Sequence, residues 1–368
     1  MRKVMIIVID GCAPEYLTQK TAPKIFSLIK KEGSFSKRIL GSVPTVTNVN
    51  HASIVSGLFP EDTGVVGNYY YHPDTEEEGF IEDSKFMKAE TIFKKYKNNG
   101  KTSALLTVKG KVLQVFGQDA DLGISVQTPD RSILDDLGLS IPPEVQSIES
   151  SQWIFQAAYQ VIKQKSPDLV YCTTNDFVMH HYGPDTYEAM AQIGTIDDYV
   201  AKIHELEPYR EIYITADHGM NQKTTLINLQ EMVDDAGFHV KCVPPLKDRY
   251  IENHIYQEGG ILYLYVKNQS EKEKFLRFVR TQEAVEQVLD AVTAAKEYNL
   301  PQDAIGDFVA FAGKDFAFGE VKNHILHSDK VRTHGSLHER EIPLIAINSN
   351  NDPEQYEYSK DIVRNLYI

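Results

Sequence analysis

The segment VMIIVID, residues 4–10, constrains the fold more than any other part of the chain. Six consecutive apolar residues are followed at once by Asp10. A short run that is apolar at every position is typical of a strand buried on both faces, as in a parallel sheet covered by helices. The rest of the chain must therefore supply neighbouring strands and two helical layers.

Strand and helix patterns alternate after this first strand. Such alternation predicts an α/β fold with a mostly parallel sheet flanked by helices on both faces. Further strands are predicted at 103–108, 168–174, 211–216 and 343–348. Helices are predicted at 23–33, 89–100, 152–164, 187–206 and 361–368.

Residues 241–330 interrupt this alternation. Strand patterns occur at 261–268 and 306–313, and the intervening 273–292 is predicted to be helical. We interpret the region as a smaller α+β cap insertion. The main domain would then comprise residues 1–240 plus 331–368, with the cap at 241–330.

The charge of the chain restricts its partners. The 368 residues carry a net charge of −14, which disfavours binding to a nucleic acid polymer or an anionic membrane surface. Three cysteines are too few for a disulfide framework, and there is no run of 18 apolar residues. Since the first strand starts at residue 4, with no room for a signal peptide before it, we expect a cytoplasmic protein. We further expect a monomer or homodimer.

Three predicted strands are each followed by an aspartate: Asp10, Asp176 and Asp217. Taken alone, each of them could be a helix cap or a turn residue. However, ligands of open parallel sheets bind outside the carboxyl ends of the strands. The three carboxylates are therefore predicted to meet at one edge of the sheet.

Histidines accompany these aspartates. His218 directly follows Asp217, His180 lies four residues after Asp176 on one helical turn, and His334 precedes the last strand. This number of carboxylate and imidazole groups suits zinc, or else manganese or iron. Three further histidines could line the site, namely His51, His181 and His254.

The chain resembles the alkaline phosphatase superfamily, in its nucleotide pyrophosphatase/phosphodiesterase branch, and within that branch it is most similar to the phosphonoacetate hydrolases. The resemblance covers nearly the whole chain. It is carried by VIDGC (8–12), VTNVNHASIVSG (46–57), GVVGNYYY (64–71), NDFVMHHYGP (175–184), ADHGM (216–220) and RTHG (332–335). It implies an alkaline phosphatase-like core.

The resemblance also implies a site with two divalent metal ions, for which zinc is favoured. Thr47 would be the nucleophile, and Thr45, two residues earlier, would be an ordinary structural hydroxyl. Asn68 would contact a phosphoryl oxygen, and His180 would face the substrate. One ion would be held by Asp176, His180 and His334, and the other by Asp10, Asp217, His218 and Thr47.

The segment TVKGK, residues 107–111, supports the narrower assignment. Similar phosphonoacetate hydrolases hold the substrate carboxylate with two lysines at this spacing, here Lys109 and Lys111. Two solvated surface lysines would give the same pattern. After Thr47, diesterases of the branch carry Phe–Pro and phosphonoacetate hydrolases Asn–Pro, whereas this chain has Asn48–Val49.

The implied activity is hydrolysis of the carbon–phosphorus bond of phosphonoacetate to acetate and phosphate, through a covalent phosphothreonine. A small anionic phosphonate or phosphoester would be the partner. The alternative activity is that of a phosphodiesterase or nucleotide pyrophosphatase. A non-catalytic protein that binds metal or phosphonate is a third interpretation, although the sequence lacks none of the expected ligands.

Overall fold

A computed structural model describes residues 2–249, 254 and 256–366. The strands are β1 (Val4–Val8), β2 (Phe35–Leu40), β3 (Tyr69–His72), β4 (Glu77–Phe80), β5 (Ser103–Thr107), β6 (Leu122–Ser125), β7 (Leu169–Thr173), β8 (Glu211–Thr215), β9 (Asn221–Ile227), β10 (Val240–Val243), β11 (Ile261–Val266), β12 (Val285–Asp290), β13 (Phe308–Ala312), β14 (Phe316–Phe318), β15 (Ile325–Thr333) and β16 (Glu341–Ile347).

The α-helices connect these strands. They are α1 (Pro23–Leu28), α2 (Thr47–Ser56), α3 (Pro60–Thr63), α4 (Ile92–Asn98), α5 (Gly110–Phe116), α6 (Arg131–Leu137), α7 (Ile148–Lys165), α8 (Phe177–His181), α9 (Tyr187–Leu206), α10 (Leu229–Asp235), α11 (Lys272–Arg280), α12 (Ala291–Tyr298) and α13 (Asp361–Arg364).

The central sheet has seven strands in the order β2-β16-β8-β1-β7-β5-β6. The strand β1 pairs in parallel with β7 on one side and β8 on the other, with Val4 opposite Leu169 and Glu211. All five residues of β1 are buried, as their apolar pattern predicts. Only β16 runs against the other strands, pairing antiparallel with β8 on one side and with the edge strand β2 on the other, so the predicted α/β fold with a mostly parallel sheet is confirmed.

Smaller sheets lie outside this core. One is a four-stranded sheet in the order β10-β11-β13-β12, and another is the three-stranded sheet β14-β9-β15. The four-stranded sheet is antiparallel, whereas in the three-stranded sheet β14 runs parallel to β9 and β15 antiparallel to it. These additional sheets are consistent with a cap, while the boundaries of the predicted insertion remain a prediction. Within the described ranges, no helix combines the length and the apolar character needed to cross a membrane.

The predicted helix over 273–292 is wrong in its second half. Helix α11 ends at Arg280, and residues Val285–Asp290 form the strand β12, which pairs antiparallel with β13. The segment EAVEQVLDAV is rich in residues that favour helices. Pairing with the exposed edge of β13 overrides this weak preference, because β propensity depends mainly on the surroundings of the strand.

The hairpin of β3 and β4 joins the core to the predicted cap. Tyr71 packs edge-on against Tyr265, with ring centroids 5.0 Å apart, and the Tyr263 hydroxyl donates to the Val66 carbonyl at 2.8 Å. Asn68 directly precedes β3, so these contacts fix its backbone between core and cap.

Candidate metal centre

Three neighbouring parallel strands place the predicted carboxylates. Asp217 follows β8, Asp10 follows β1 and Asp176 follows β7, and these strands are adjacent in the sheet. All three side chains are buried. The structure therefore brings the three aspartates together at the carboxyl edge of the sheet, where α/β proteins bind ligands.

The carboxylates and histidines form two compact groups. In each group, the candidate ligand atoms all lie within 4.8 Å of one another, and every residue is buried. The division follows the two sets that the family resemblance implies, with the addition of His254. The groups are Asp10, Asp217 and His218, and Asp176, His180, His254 and His334.

Three of these histidines are oriented by backbone carbonyls. A carbonyl oxygen can only accept, so in each ring Nδ1 must be the donor, and Nε2 presents a lone pair to the centre. Metal-ligating histidines in proteins are held in this way. The carbonyls belong to Arg332 for His180 (2.7 Å), Gly219 for His218 (2.9 Å) and Thr45 for His334 (2.7 Å).

Unsatisfied ring nitrogens provide the test of whether a metal ion fits. Within the described part of the chain, His334 Nε2 and His254 Nδ1 are buried and make no hydrogen bond. A buried polar atom without a partner is costly, and coordination of a cation would relieve that cost. The donor set of carboxylate oxygens and imidazole nitrogens suits zinc, so the residues present fit the predicted ions.

Lys109 connects the two groups. Its Nζ lies 2.8 Å from Asp10 Oδ2 and 2.7 Å from Asp176 Oδ2, and the side chain is buried. The ammonium therefore contacts one carboxylate from each candidate ion site. Lys109 is thus a residue of the centre itself, and the interpretation as a solvated surface lysine is wrong.

The two carboxylates beside Lys109 titrate differently. Burial, and then the charges of Asp176 and Asp217, raise the pKa of Asp10 to about 8. Burial opposes ionisation of Asp176 too, but Lys109 and a hydrogen bond with His180 hold its pKa well below the usual range. Burial raises the pKa of Asp217 to about 6. Crowded carboxylates of this kind need more positive charge than one lysine supplies.

Thr47 lies at the same edge of the sheet. It is the first residue of α2, and its Oγ1 is 3.4 Å from His218 Nε2. The amino-terminal end of a helix favours a negatively charged group such as a phosphoryl oxygen. Thr47, the predicted nucleophile, therefore lies next to the group of Asp10, Asp217 and His218, at a position suited to a phosphoryl group.

Thr45 has a structural role that the sequence interpretation left unspecified. Its hydroxyl donates to the Ser336 carbonyl at 2.8 Å and accepts from the Gly335 N–H at 2.9 Å. Together with the carbonyl contact to His334, these bonds tie the segment before Thr47 to the turn that carries His334.

Asn68 and Lys111 meet at an acid that the sequence analysis missed. The Asn48 N–H donates to Asn68 Oδ1 at 3.1 Å, and Asn68 Nδ2 donates to Asp248 Oδ2 at 3.0 Å. The Lys111 ammonium forms an ion pair with the same Oδ2 atom. No periodic pattern surrounds Asp248, and its contact with Lys111 spans 137 residues, so sequence spacing gives no signal for it.

His51 and His181, which the sequence suggested could line the site, lie outside both groups of candidate ligands. His51 is buried, and its Nδ1 is 2.6 Å from the Tyr171 hydroxyl. His181 is exposed and bonds to the Phe177 carbonyl, so it is not brought into either group. A cavity of about 400 Å³ reaches His180, whereas a larger one of about 500 Å³ beside the predicted cap is lined by none of the proposed ligands.

The fold and this site define a class of protein. Buried carboxylates and imidazoles flank a threonine hydroxyl at a helix terminus, an arrangement suited to metal-assisted nucleophilic attack. The sequence profile described as "Type I phosphodiesterase / nucleotide pyrophosphatase" matches residues 4–337. The chain belongs to this family, within the alkaline phosphatase superfamily.

Solved structures extend the comparison. Phosphonoacetate hydrolase from Sinorhizobium meliloti 1021, in complex with phosphonoformate, is 27% identical, with a TM-score of 0.87 over 98% of this chain and 94% of that one. Murine ectonucleotide pyrophosphatase/phosphodiesterase 5, in complex with AMP, shares the fold at 17% identity and a TM-score of 0.70, over 99% and 93% of the two chains.

Curated relatives are longer proteins. Human ectonucleotide pyrophosphatase/phosphodiesterase family member 1 is 28% identical over 59% of this chain and 23% of its own length. Human family member 5 is 26% identical over 63% of this chain and 48% of its own length. The chain thus matches about a quarter to a half of these relatives.

Proposed function

We propose that this protein hydrolyses the carbon–phosphorus bond of phosphonoacetate, giving acetate and phosphate. The observation that carries this proposal is the placement of Thr47, Lys109 and Lys111 around the two groups of candidate ligands. The likeness to phosphonoacetate hydrolase over nearly the full length of both chains supports it.

The proposed reaction starts at Thr47. Divalent ions, when bound, supply the positive charge that lowers the pKa of a hydroxyl and neutralises phosphoryl oxygens. The Thr47 Oγ1 gives up its proton to solvent and attacks phosphorus, and the carbon–phosphorus bond breaks as the phosphothreonine forms. Water then hydrolyses the phosphothreonine, which releases phosphate and restores the threonine hydroxyl.

The departing carbon requires stabilisation. It leaves with the bonding electron pair as a carbanion conjugated to a carboxylate, and it takes a proton to give acetate. Lys109 and Lys111 are proposed to bind that carboxylate and to stabilise the developing charge. Lys109 would give up at least one of its two present carboxylate partners for that of the substrate, and the divalent ions would compensate the carboxylate that it leaves. The Asn68 carboxamide would donate to a phosphoryl oxygen.

The test is direct. Zinc-loaded protein should release equal amounts of phosphate and acetate from phosphonoacetate, and Thr47→Ala should remove this turnover while zinc binding persists. The double variant Lys109→Ala, Lys111→Ala should lose the phosphonate reaction and keep hydrolysis of a small aryl phosphoester. Equal losses on both substrates would contradict a role of the lysines in carboxylate binding.

A phosphodiesterase or nucleotide pyrophosphatase activity is the second candidate, and the family match favours it. Hydrolysis of bis(p-nitrophenyl) phosphate without any turnover of phosphonoacetate would establish it over the first. A non-catalytic binding protein is the third candidate. It predicts fewer than two zinc ions per chain after extensive dialysis, together with no turnover of either substrate.

A further inference from the structure

The carboxylate of Asp248 joins the two side chains that the proposed function assigns to the substrate. Its Oδ2 accepts from Asn68 Nδ2 at 3.0 Å and pairs with the Lys111 ammonium. Asn68 and Lys111 belong to the predicted core, whereas Asp248 lies in the predicted cap. All three side chains are buried, so these contacts are made out of water.

Asp248 is itself held in place. Its N–H donates to Gln257 Oε1 at 3.2 Å, and its carboxylate stays ionised: burial opposes the charge, but Lys111 and then Lys109 lower the pKa of Asp248 below the ordinary value. A buried, fixed and charged acceptor is suited to orienting flexible donors, because charge-assisted hydrogen bonds are stronger and more directional than neutral ones.

Both donors are of a kind that binds a ligand group. An ammonium has three N–H groups, so pairing with Asp248 does not prevent Lys111 from donating to a substrate carboxylate that takes the place of another contact. The Asn68 amide is fixed at its oxygen by the Asn48 N–H at 3.1 Å, and its second N–H has only a 3.4 Å contact with the Leu246 carbonyl. A phosphoryl oxygen could replace that long contact at little cost.

We propose that Asp248 is a positioning residue, which sets the Lys111 ammonium for the substrate carboxylate and the Asn68 amide for the phosphoryl group. This inference rests on the proposed function, since it assigns those two ligand groups to the same substrate. Through Asp248, the cap segment controls how tightly the core binds a phosphonate that also carries a carboxylate.

An alternative role for Asp248 predicts the opposite effect on substrate binding. Asp248 could instead compete with the substrate carboxylate for Lys111. In that case, removing its charge would strengthen the binding of phosphonoacetate, whereas loss of positioning would weaken it. The sign of the change therefore distinguishes the two roles.

The experiment is a double-mutant cycle on binding. Dissociation constants are measured by calorimetry on the zinc-loaded full chain, in a Thr47→Ala background that prevents turnover. The ligands are phosphonoacetate and methylphosphonate, which differ by the carboxylate. The variants are Asp248→Asn, Lys111→Ala and the two combined.

Asp248→Asn should weaken phosphonoacetate binding by about tenfold or more, the scale expected for loss of a charge-assisted hydrogen bond, and should weaken methylphosphonate binding less. With Lys111→Ala already present, Asp248→Asn should weaken phosphonoacetate binding much less, because only the orientation of Asn68 is then lost and the removal of charge repulsion offsets that loss. Equal weakening in both backgrounds, or tighter binding in the presence of Lys111, would overturn the proposal.

Asp361 offers a matched control. It is a buried carboxylate paired with Lys360 at 2.8 Å, and it is not among the residues of the metal centre. Asp361→Asn should lower the thermal midpoint without changing either dissociation constant. If Asp248→Asn does not fold, Asp248→Glu keeps the ion pair but displaces Lys111, and it should weaken phosphonoacetate more than methylphosphonate. Equal weakening of the two ligands would then count against positioning.

The binding measurements do not depend on whether the protein hydrolyses phosphonoacetate. If the protein with Thr47 intact does not hydrolyse phosphonoacetate, the proposed function fails. The binding cycle still reports whether Asp248 acts through Lys111. If phosphonoacetate turns over but the cycle is additive, the function stands and the positioning role falls.

Discussion

Lys109 allows a quantitative test of whether the two groups of buried residues hold cations. Its ammonium contacts Asp10 and Asp176 at 2.8 and 2.7 Å and compensates the ionised Asp176, and the three side chains are buried. Lys109→Met keeps most of the side-chain volume and removes the charge. Breaking a buried ion pair by removing one partner typically costs about 3–5 kcal/mol, because the other charge is left uncompensated.

Zinc should reverse this cost. Ions bound at the two groups would supply the charge that Lys109 no longer provides, and their repulsion from the ammonium would also disappear. A ligand at about a thousand times its dissociation constant adds about 4 kcal/mol to the free energy of unfolding, and the variant should gain more than the original protein because it binds zinc without the competing ammonium. We therefore expect Lys109→Met to lose about 3–5 kcal/mol in a chelator, and only a small part of that in excess zinc.

The assay is urea unfolding of the original protein and the variant, each in chelator and in zinc. Lys223→Met is the matched control, because Lys223 is equally buried and pairs with Glu339 at 2.8 Å outside the two groups. It should be destabilised in both conditions alike. If zinc rescues both variants equally, or neither of them, the assignment of the two groups as cation sites is refuted.

Two further predictions concern the same centre. The raised pKa of Asp10, about 8 against an ordinary 3.8, means that the metal-free folded protein keeps a proton that the unfolded chain has lost. Its free energy of unfolding should therefore fall as the pH rises towards about 8; zinc affinity should rise over that range, and a pH-independent unfolding curve would contradict this. Thr45→Val removes the hydroxyl contacts beside His334, and it should weaken zinc binding by about tenfold, measured by competition with a chelating dye. An unchanged affinity would show that the turn holds His334 without Thr45.

Much of the centre could be predicted because its ligands follow strands. The position of a carboxylate after a buried apolar run fixes both its strand and its edge of the sheet, so Asp10, Asp176 and Asp217 needed no knowledge of distant contacts. His180 followed from helical spacing to Asp176. These are local regularities of sequence, and parallel pairing of β7, β1 and β8 converts them into one site.

The cap could be predicted less well, because its structure depends on contacts between residues that are far apart in the sequence. The strand β12 depends on the edge of β13, and its own residues favour a helix. The contact of Asp248 with Lys111 joins residues 137 apart, between a loop and a helix, and no periodic pattern marks either end. His254 was only a possible lining residue from the sequence, and its place in the second group depends on how the predicted cap packs against the core.

Core and cap therefore contribute differently to the proposed chemistry. All the ligands predicted from the sequence lie in the predicted core, whereas Asp248 and His254 lie in the predicted cap. Because Asp248 reaches Lys111 and Asn68 without being in either group of candidate ligands, changes at Asp248 should alter substrate choice and leave the stoichiometry of bound zinc intact. Changes at Asp10 or Asp176 should alter ion binding first. A phosphonate specificity could thus be gained or lost through the cap while the reaction at Thr47 is retained.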